Sequence, residues 1–226
     1  MSQHDSTILH IFHRLFEHFG PRSWWPAETP FEVVIGAILT QNTAWTNVEQ
    51  AIENLRAANA LTAERVACLT SNALEDLIRP SGFFRQKSAR LQELSRHLLS
   101  KWDGDLYRLC AGEIEEARQR LLSQKGIGPE TADSILLYAA ERPSFVVDAY
   151  TKRVFTRVGT LSGTEDYETI RDLFMRKLPT DTQLFNEYHA LIVELAKSYC
   201  RKKTPLCQQC PIVKSCAYAV SQRGGK

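Results

Sequence analysis

This chain has little that would mark an exported, membrane-spanning or unfolded protein. Its longest uncharged apolar run covers residues 33–39, far short of the ~20 residues a helix needs to cross a bilayer. The opening MSQHDSTILH has neither a basic segment nor a cleavable apolar core, so nothing marks export and the expected setting is the cytoplasm. Charge of one sign is not in excess, since the formal net charge is +2. No segment is low in complexity, and no repeat of solenoid period is present. The six histidines show no metal-ligand spacing, and no flavin or nucleotide fingerprint occurs. With 43% hydrophobic and 24% charged residues, disordered, collagen-like and disulfide-scaffold classes are excluded. A length of 226 residues suffices for a real core, in one large domain or two interlocked small ones.

Alternating apolar–polar runs are also nearly absent, while apolar residues recur at helical spacing almost throughout. Ile8, Leu9, Phe12, Leu15, Phe16 and Phe19 form one face of an N-terminal helix ended by Gly20-Pro21. Further helices are expected over 30–41, 44–58, 63–69, 71–79, 85–100, 113–123, 129–141, 149–158, 166–177 and 181–198. Pro80-Ser81-Gly82, Asp103-Gly104 and Arg142-Pro143 break the pattern between them. The predicted fold class is all-α. Residues 1–143 carry 15 Lys/Arg against 18 Asp/Glu, and residues 144–226 carry 13 against 8. That basic final third suits a polyanion or an uneven solvated surface equally.

Four of the six cysteines are crowded near the end as Cys200-x6-Cys207-x2-Cys210-x5-Cys216. Without an export signal, such a cluster reads as a metal site rather than as disulfides. Four thiolates fit tetrahedral zinc or a [4Fe-4S] cluster. A zinc ribbon pairs two CxxC motifs across a longer spacer. One CxxC with unequal single flanks suits a cuboidal cluster better. Lys197, Arg201, Lys202, Lys203 and Lys214 stand nearby, placed to offset an anionic cluster or to meet phosphates. Cys68 and Cys110 lie in apolar surroundings and are expected to be buried structural thiols.

Residues 123–132, SQKGIGPETA, set Gly126 and Gly128 in a tight turn between two helical patterns, with Pro129 in the first turn of the second. Such glycines let backbone amides approach a ligand, and the helix N-terminus favours an anion such as a backbone phosphate. The same residues also suit a plain helix–helix turn. Asp148 follows 20 residues after Gly128, behind an apolar run and ahead of a helix. It can cap that helix, or hold a carboxylate toward a reacting centre.

Taken in order, the Gly-Ile-Gly hairpin, Asp148 and the four-cysteine set resemble the helix-hairpin-helix DNA glycosylases of the endonuclease III superfamily. The resemblance extends to Leu39-Thr40-Gln41-Asn42-Thr43 and to residues 81–87, SGFFRQK. It implies a two-domain all-α fold, with a six-helix barrel over 28–143 and an iron–sulfur cluster domain from 1–27 and 144–226. DNA would enter the cleft between them. It implies a [4Fe-4S] cluster on Cys200, Cys207, Cys210 and Cys216, and Asp148 as the catalytic aspartate. Double-stranded DNA carrying damaged bases becomes the expected partner, met by a nucleoid-associated monomer with no membrane contact. Bifunctional members carry a lysine nucleophile two residues after the second hairpin glycine, where this chain has Glu130. A carboxylate cannot form a Schiff base, so strand-cleaving lyase activity is expected to be missing. The adenine-mismatch branch places a glutamate where this chain has Ala37.

A nearer resemblance is to the endonuclease-III-like 3-methyladenine DNA glycosylases, through Trp24-Trp25-Pro26, Trp45, and Lys125-Gly126-Ile127-Gly128 followed by Glu130. It implies hydrolysis of the N-glycosidic bond of alkylated purines such as 3-methyladenine, after base flipping. Trp24, Trp25, Pro26 and Trp45 would form the base slot, with Glu130 at its mouth, and an indole face attracts a cationic purine. Gln41 would fill the gap left by the flipped nucleotide, and Phe83 or Phe84 would wedge the stack. Lys125, Gly126, Gly128, Thr131, Lys87, Lys152 and Arg153 would contact the DNA backbone. Two alternatives stay open: a glycosylase for another damaged, deaminated or mismatched base, with or without lyase activity, and a non-catalytic damage-binding iron–sulfur protein.

Overall fold

A computed structural model describes residues 3–22, 25 and 27–223, and among these every regular element is helical. The chain divides into two compact units, Met1–Trp24 with Pro143–Lys226, and Trp25–Arg142. The first unit opens with α1 (Gln3–Phe19). The second holds α2 (Pro30–Leu39), α3 (Trp45–Ala57), α4 (Ala63–Cys68), α5 (Ser71–Ile78), α6 (Phe84–Trp102), α7 (Leu106–Leu109), α8 (Ile114–Leu122) and α9 (Pro129–Ser134). A π-helical turn, Ile135–Ala139, continues α9. The chain then returns to the first unit as α10 (Ala149–Val158), α11 (Tyr167–Lys177), α12 (Thr182–Ser198) and the short α13 (Ala217–Arg223). No described helix is long and apolar enough to cross a membrane.

Local chemistry sets most of the helix starts. Thr29, Thr62, Thr70, Asp105, Asp148, Asp166 and Asp181 each accept a hydrogen bond from a first-turn amide, satisfying a donor the helix itself cannot. Pro30 and Pro129 stand in first turns, where a missing N–H costs nothing. In the second unit α2 is buried almost all round, from Val33 to Leu39, and Val48, Leu55, Leu74, Leu91 and Leu121 pack in the same core. A helix apolar on every face belongs at the centre of its unit.

Aromatic rings dominate the first unit. Phe145 stacks on Phe174 at 4.2 Å, and Phe155, Phe185 and Tyr188 close around them. Tyr188 Oη donates to Ile8 O at 2.6 Å, which ties α1 to α12 across 180 residues of sequence. Two expectations are corrected here. Phe16 is 40% exposed, and the buried line of α1 runs through Ile8, Ile11 and Leu15. Cys110 is buried as expected, but Cys68, at the end of short α4, is exposed.

Candidate active site

The glycine hairpin joins α8 to α9 within the second unit. Gly126 has φ +83°, a conformation that costs residues with a Cβ. A Cβ built there would lie 2.2 Å from Arg90 Nε, so Arg90 lies directly over the turn. Gly128 has an ordinary φ of −90° and open space where a Cβ would sit. Gln41, just past α2, donates from Nε2 to Gly126 O at 3.2 Å and to Thr131 Oγ1 at 2.9 Å. Its Oε1 accepts from Arg90 Nη1 at 2.5 Å. Gln41, Gly126 and Thr131 are thus brought together, with Arg90 as a fourth member that sequence reasoning missed. Lys125 and Glu130 are exposed beside them.

Trp25 and Trp45 also meet in this unit. Trp25 stacks on Tyr138 at 5.0 Å and 27°, and Trp45 meets it edge-on at 5.4 Å. Trp25 presses so close to α2 that a Cβ on Gly36 would lie 3.0 Å from its Cζ2, so only glycine fits there without displacement. Trp45 Nε1 donates to Glu49 Oε1 at 2.8 Å. Tyr138 comes from the π-helical turn, a kind of irregularity common at functional sites, and no sequence signal marked it. Trp24 and Pro26 lie outside the described residues. Phe83 is 63% exposed with φ +46°, whereas the Phe84 ring has the guanidinium groups of Arg79 and Arg85 over it at 4.6 and 5.7 Å.

Lys87 differs from expectation. It is buried, and Nζ donates to Leu39 O at 2.8 Å and Ser81 O at 2.7 Å. The amine closes the end of α2 against the turn before α6, with no face toward a phosphate. Burial, with Arg90 adding repulsion, pulls its pKa down to about 8. In the first unit Lys152 Nζ donates to Glu165 O at 2.6 Å. Arg153 donates to Cys200 O and Ala196 O. Both expected phosphate contacts are therefore engaged with backbone carbonyls of their own unit.

Asp148 caps α10 in the same unit. Oδ1 accepts from Thr151 N at 2.7 Å and from Thr151 Oγ1 at 2.9 Å. His189 Nε2, from α12, lies 3.5 Å from Oδ2, and both side chains are largely buried. Burial pushes the carboxyl up. The His189 imidazole beside it and the hydrogen bonds from Thr151 outweigh that, and hold it below its ordinary value. An ionised, shielded carboxylate of this kind can accept a proton or stabilise positive charge.

Cys200, Cys207, Cys210 and Cys216 line one cavity, together with Val154, Arg157, Tyr199 and Tyr218. Burial pushes the Cys210 thiol up to about 11, and the neighbouring sulfurs add to the rise. Cys216 is raised for the same reasons. Cys210 and Cys216 need a cation beside them to give up their protons, so the donor set fits a cationic metal core. Among the described residues no three or more His, Cys, Asp or Glu are grouped to hold one ion. Arg157 Nη1 donates to Cys200 Sγ at 3.3 Å and to Arg201 O at 2.8 Å, binding the loop that carries the first ligand.

Comparison with known proteins follows the same pattern. A family model described as HhH-GPD superfamily base excision DNA repair protein matches residues 35–180. A Methanocaldococcus jannaschii protein named as a DNA repair glycosylase is 46% identical over 211 residues, covering 92% of this chain and 95% of the relative. Endonuclease III of Thermotoga maritima is 30% identical, over 84% of this chain and 83% of its own. The H. pylori 3-methyladenine DNA glycosylase, solved bound to 1,N6-ethenoadenine, superposes with a TM-score of 0.74 at 30% identity, covering 84% and 97% of the two chains. An endonuclease III–DNA complex shares the fold over 99% of this chain and 100% of its own, with a TM-score of 0.83 at 21% identity. With the glycine hairpin, the capping aspartate and this all-helical fold on one chain, the protein belongs to the HhH-GPD superfamily of base excision DNA repair glycosylases.

Proposed function

We propose that this protein is a monofunctional DNA glycosylase that hydrolyses the N-glycosidic bond of alkylated purines, 3-methyladenine among them. The observation that carries the reading is the aromatic group of Trp25, Trp45 and Tyr138 in the barrel unit. Electron-rich faces attract a cationic base by about 0.5–2 kcal/mol per good contact. The H. pylori relative, named for 3-methyladenine, supports the same substrate class. An alkylated purine carries positive charge and leaves readily, so little general acid is needed. As the C1′–N bond breaks, the base departs with the bonding pair. Asp148 stabilises the oxocarbenium-like sugar, and a water oxygen bonds to C1′ while its proton passes to the carboxylate. Glu130 at the hairpin offers no amine for a Schiff base, which favours simple hydrolysis.

The hairpin amides around Gly126 and Gly128, with Lys125 exposed beside them, would take a DNA phosphate. Exposed Phe83 is the wedge of choice, since Phe84 is engaged by two arginines. Gln41 would have to leave its bonds to Gly126, Thr131 and Arg90 before filling a gap in the duplex. Cys200, Cys207, Cys210 and Cys216 would hold a [4Fe-4S] cluster, which supplies a structural cross-link for the segment 200–216. Chromatography of bases released from methylated duplex DNA tests the reading, with Asp148→Asn alongside. Release of 3-methyladenine by the wild type alone is expected. No methylpurine release overturns the substrate class, and borohydride trapping on abasic DNA overturns the monofunctional reading.

A further inference from the structure

We propose that His189 is a positioning residue for Asp148, holding Oδ2 while Thr151 holds Oδ1. The proposal rests on the catalytic reading of Asp148 given above. An ionised carboxylate offers roughly four acceptor sites. Thr151 takes two of them through its backbone N and its Oγ1. His189 Nε2 stands 3.5 Å from the second oxygen, within ion-pair range. The remaining acceptor site on Oδ2 then has a fixed direction, which is what a carboxylate needs to orient one water or one side of a sugar. Thr151 alone leaves the carboxylate anchored at one end.

His189 is rigidly delivered to this place. Its neighbour Tyr188 is wholly buried in the aromatic core and donates to Ile8 O, which locks the rotation of α12. His189 itself is 6% exposed. Three other polar groups of the surrounding elements have partners elsewhere. From the start of α11, the Tyr167 hydroxyl accepts from Val147 N. From α10, Lys152 reaches Glu165 O, and Arg153 reaches Cys200 O and Ala196 O. The imidazole from α12 is thus the group directed at the carboxylate, and burial opposes it. Replacing His189 by a neutral side chain leaves burial with less to oppose it, so the carboxyl titrates at higher pH.

The test measures single-turnover base release from methylated duplex DNA by the full chain across about pH 5–9. Wild type, Asp148→Asn, His189→Gln and His189→Asn are compared, with melting temperature and affinity for abasic-analogue duplex as controls. On the acid limb the rate follows the ionised fraction, so each pH unit of displacement lowers it about tenfold. Expected for His189→Gln are unchanged duplex affinity and an acid limb moved to higher pH, with the rate recovering toward wild type as pH rises. A rate lowered by one factor at every pH, or not lowered at all, overturns the proposal. A wild type that releases no base refutes the function reading instead, and carbon-13 titration of the aspartate carboxyls, assigned with Asp148→Asn, then decides the pair. An Asp148 carboxyl titrating at or above the ordinary carboxylate value overturns it, in wild type alone if neither His189 variant folds.

Discussion

Replacing each of the two hairpin glycines by alanine separates what the turn needs for folding from what it needs for DNA. At Gly126 the new Cβ would meet Arg90 at 2.2 Å from Nε, 2.5 Å from Cδ and 2.7 Å from Cγ. The side chain of Arg90 must move, and its bond to Gln41 Oε1 goes with it. A residue with a Cβ also pays about 1–2 kcal/mol at a left-handed φ of this kind. Loss of a partly buried, charge-assisted hydrogen bond adds about 1–2 kcal/mol. Together Gly126→Ala costs about 2–4 kcal/mol, which in a chain of this size lowers Tm by roughly 5–15 °C. Gly128 has ordinary dihedrals and open space around its Cα. There the entropy gained by alanine offsets its poorer capping, and the net change is within about 0.5 kcal/mol. If Gly128 serves close approach of a phosphate, Gly128→Ala weakens duplex binding without moving Tm. Thermal melting by circular dichroism and fluorescence-anisotropy titration with duplex DNA read the two effects separately. Equal melting temperatures for the two variants would falsify the account of the turn.

Other perturbations test separate parts of the molecule. Lys87→Met leaves Leu39 O and Ser81 O without their buried donor, and urea unfolding should show a loss of about 2–4 kcal/mol. The lowered pKa of Lys87 means the unfolded chain binds the proton more tightly. Wild-type stability should therefore rise with pH between about 8 and the unfolded value of 10.5, and Lys87→Met should remove that rise. Asp148→Asn keeps a good helix cap, so Tm should change little while base release falls by about 10²–10⁴; comparable activity in the variant would refute the catalytic role. The cluster reading predicts a brown wild type whose visible absorbance Cys210→Ser loses, and a colourless wild type or a variant that keeps the absorbance would remove the cluster from the reading. Tyr138→Leu takes away the ring beneath Trp25, and base release should drop more for cationic methylpurines than for a neutral lesion such as uracil.

What the sequence determined by itself was set by interactions of short range. Apolar residues three and four apart located eleven of the helices, and Pro129 and Asp148 marked the starts of two of them, because both signals act within one or two turns. The four-residue α7, too short to show a period, and the terminal α13 escaped notice. The glycine turn was legible for the same reason: Gly126 and Pro129 state their backbone requirements locally. Tertiary structure decided which side chains share a site. Gln41 is 85 residues from the carbonyl it binds, and His189 reaches Asp148 only because Tyr188 and the aromatic core fix the rotation of α12. Lys87, Lys152 and Arg153 look like surface cations in the sequence, yet each bonds backbone carbonyls left open at helix ends or loops. Carbonyls carry no side-chain signature, so where a lysine or arginine finds one depends on how the helices cross and not on the residues beside it.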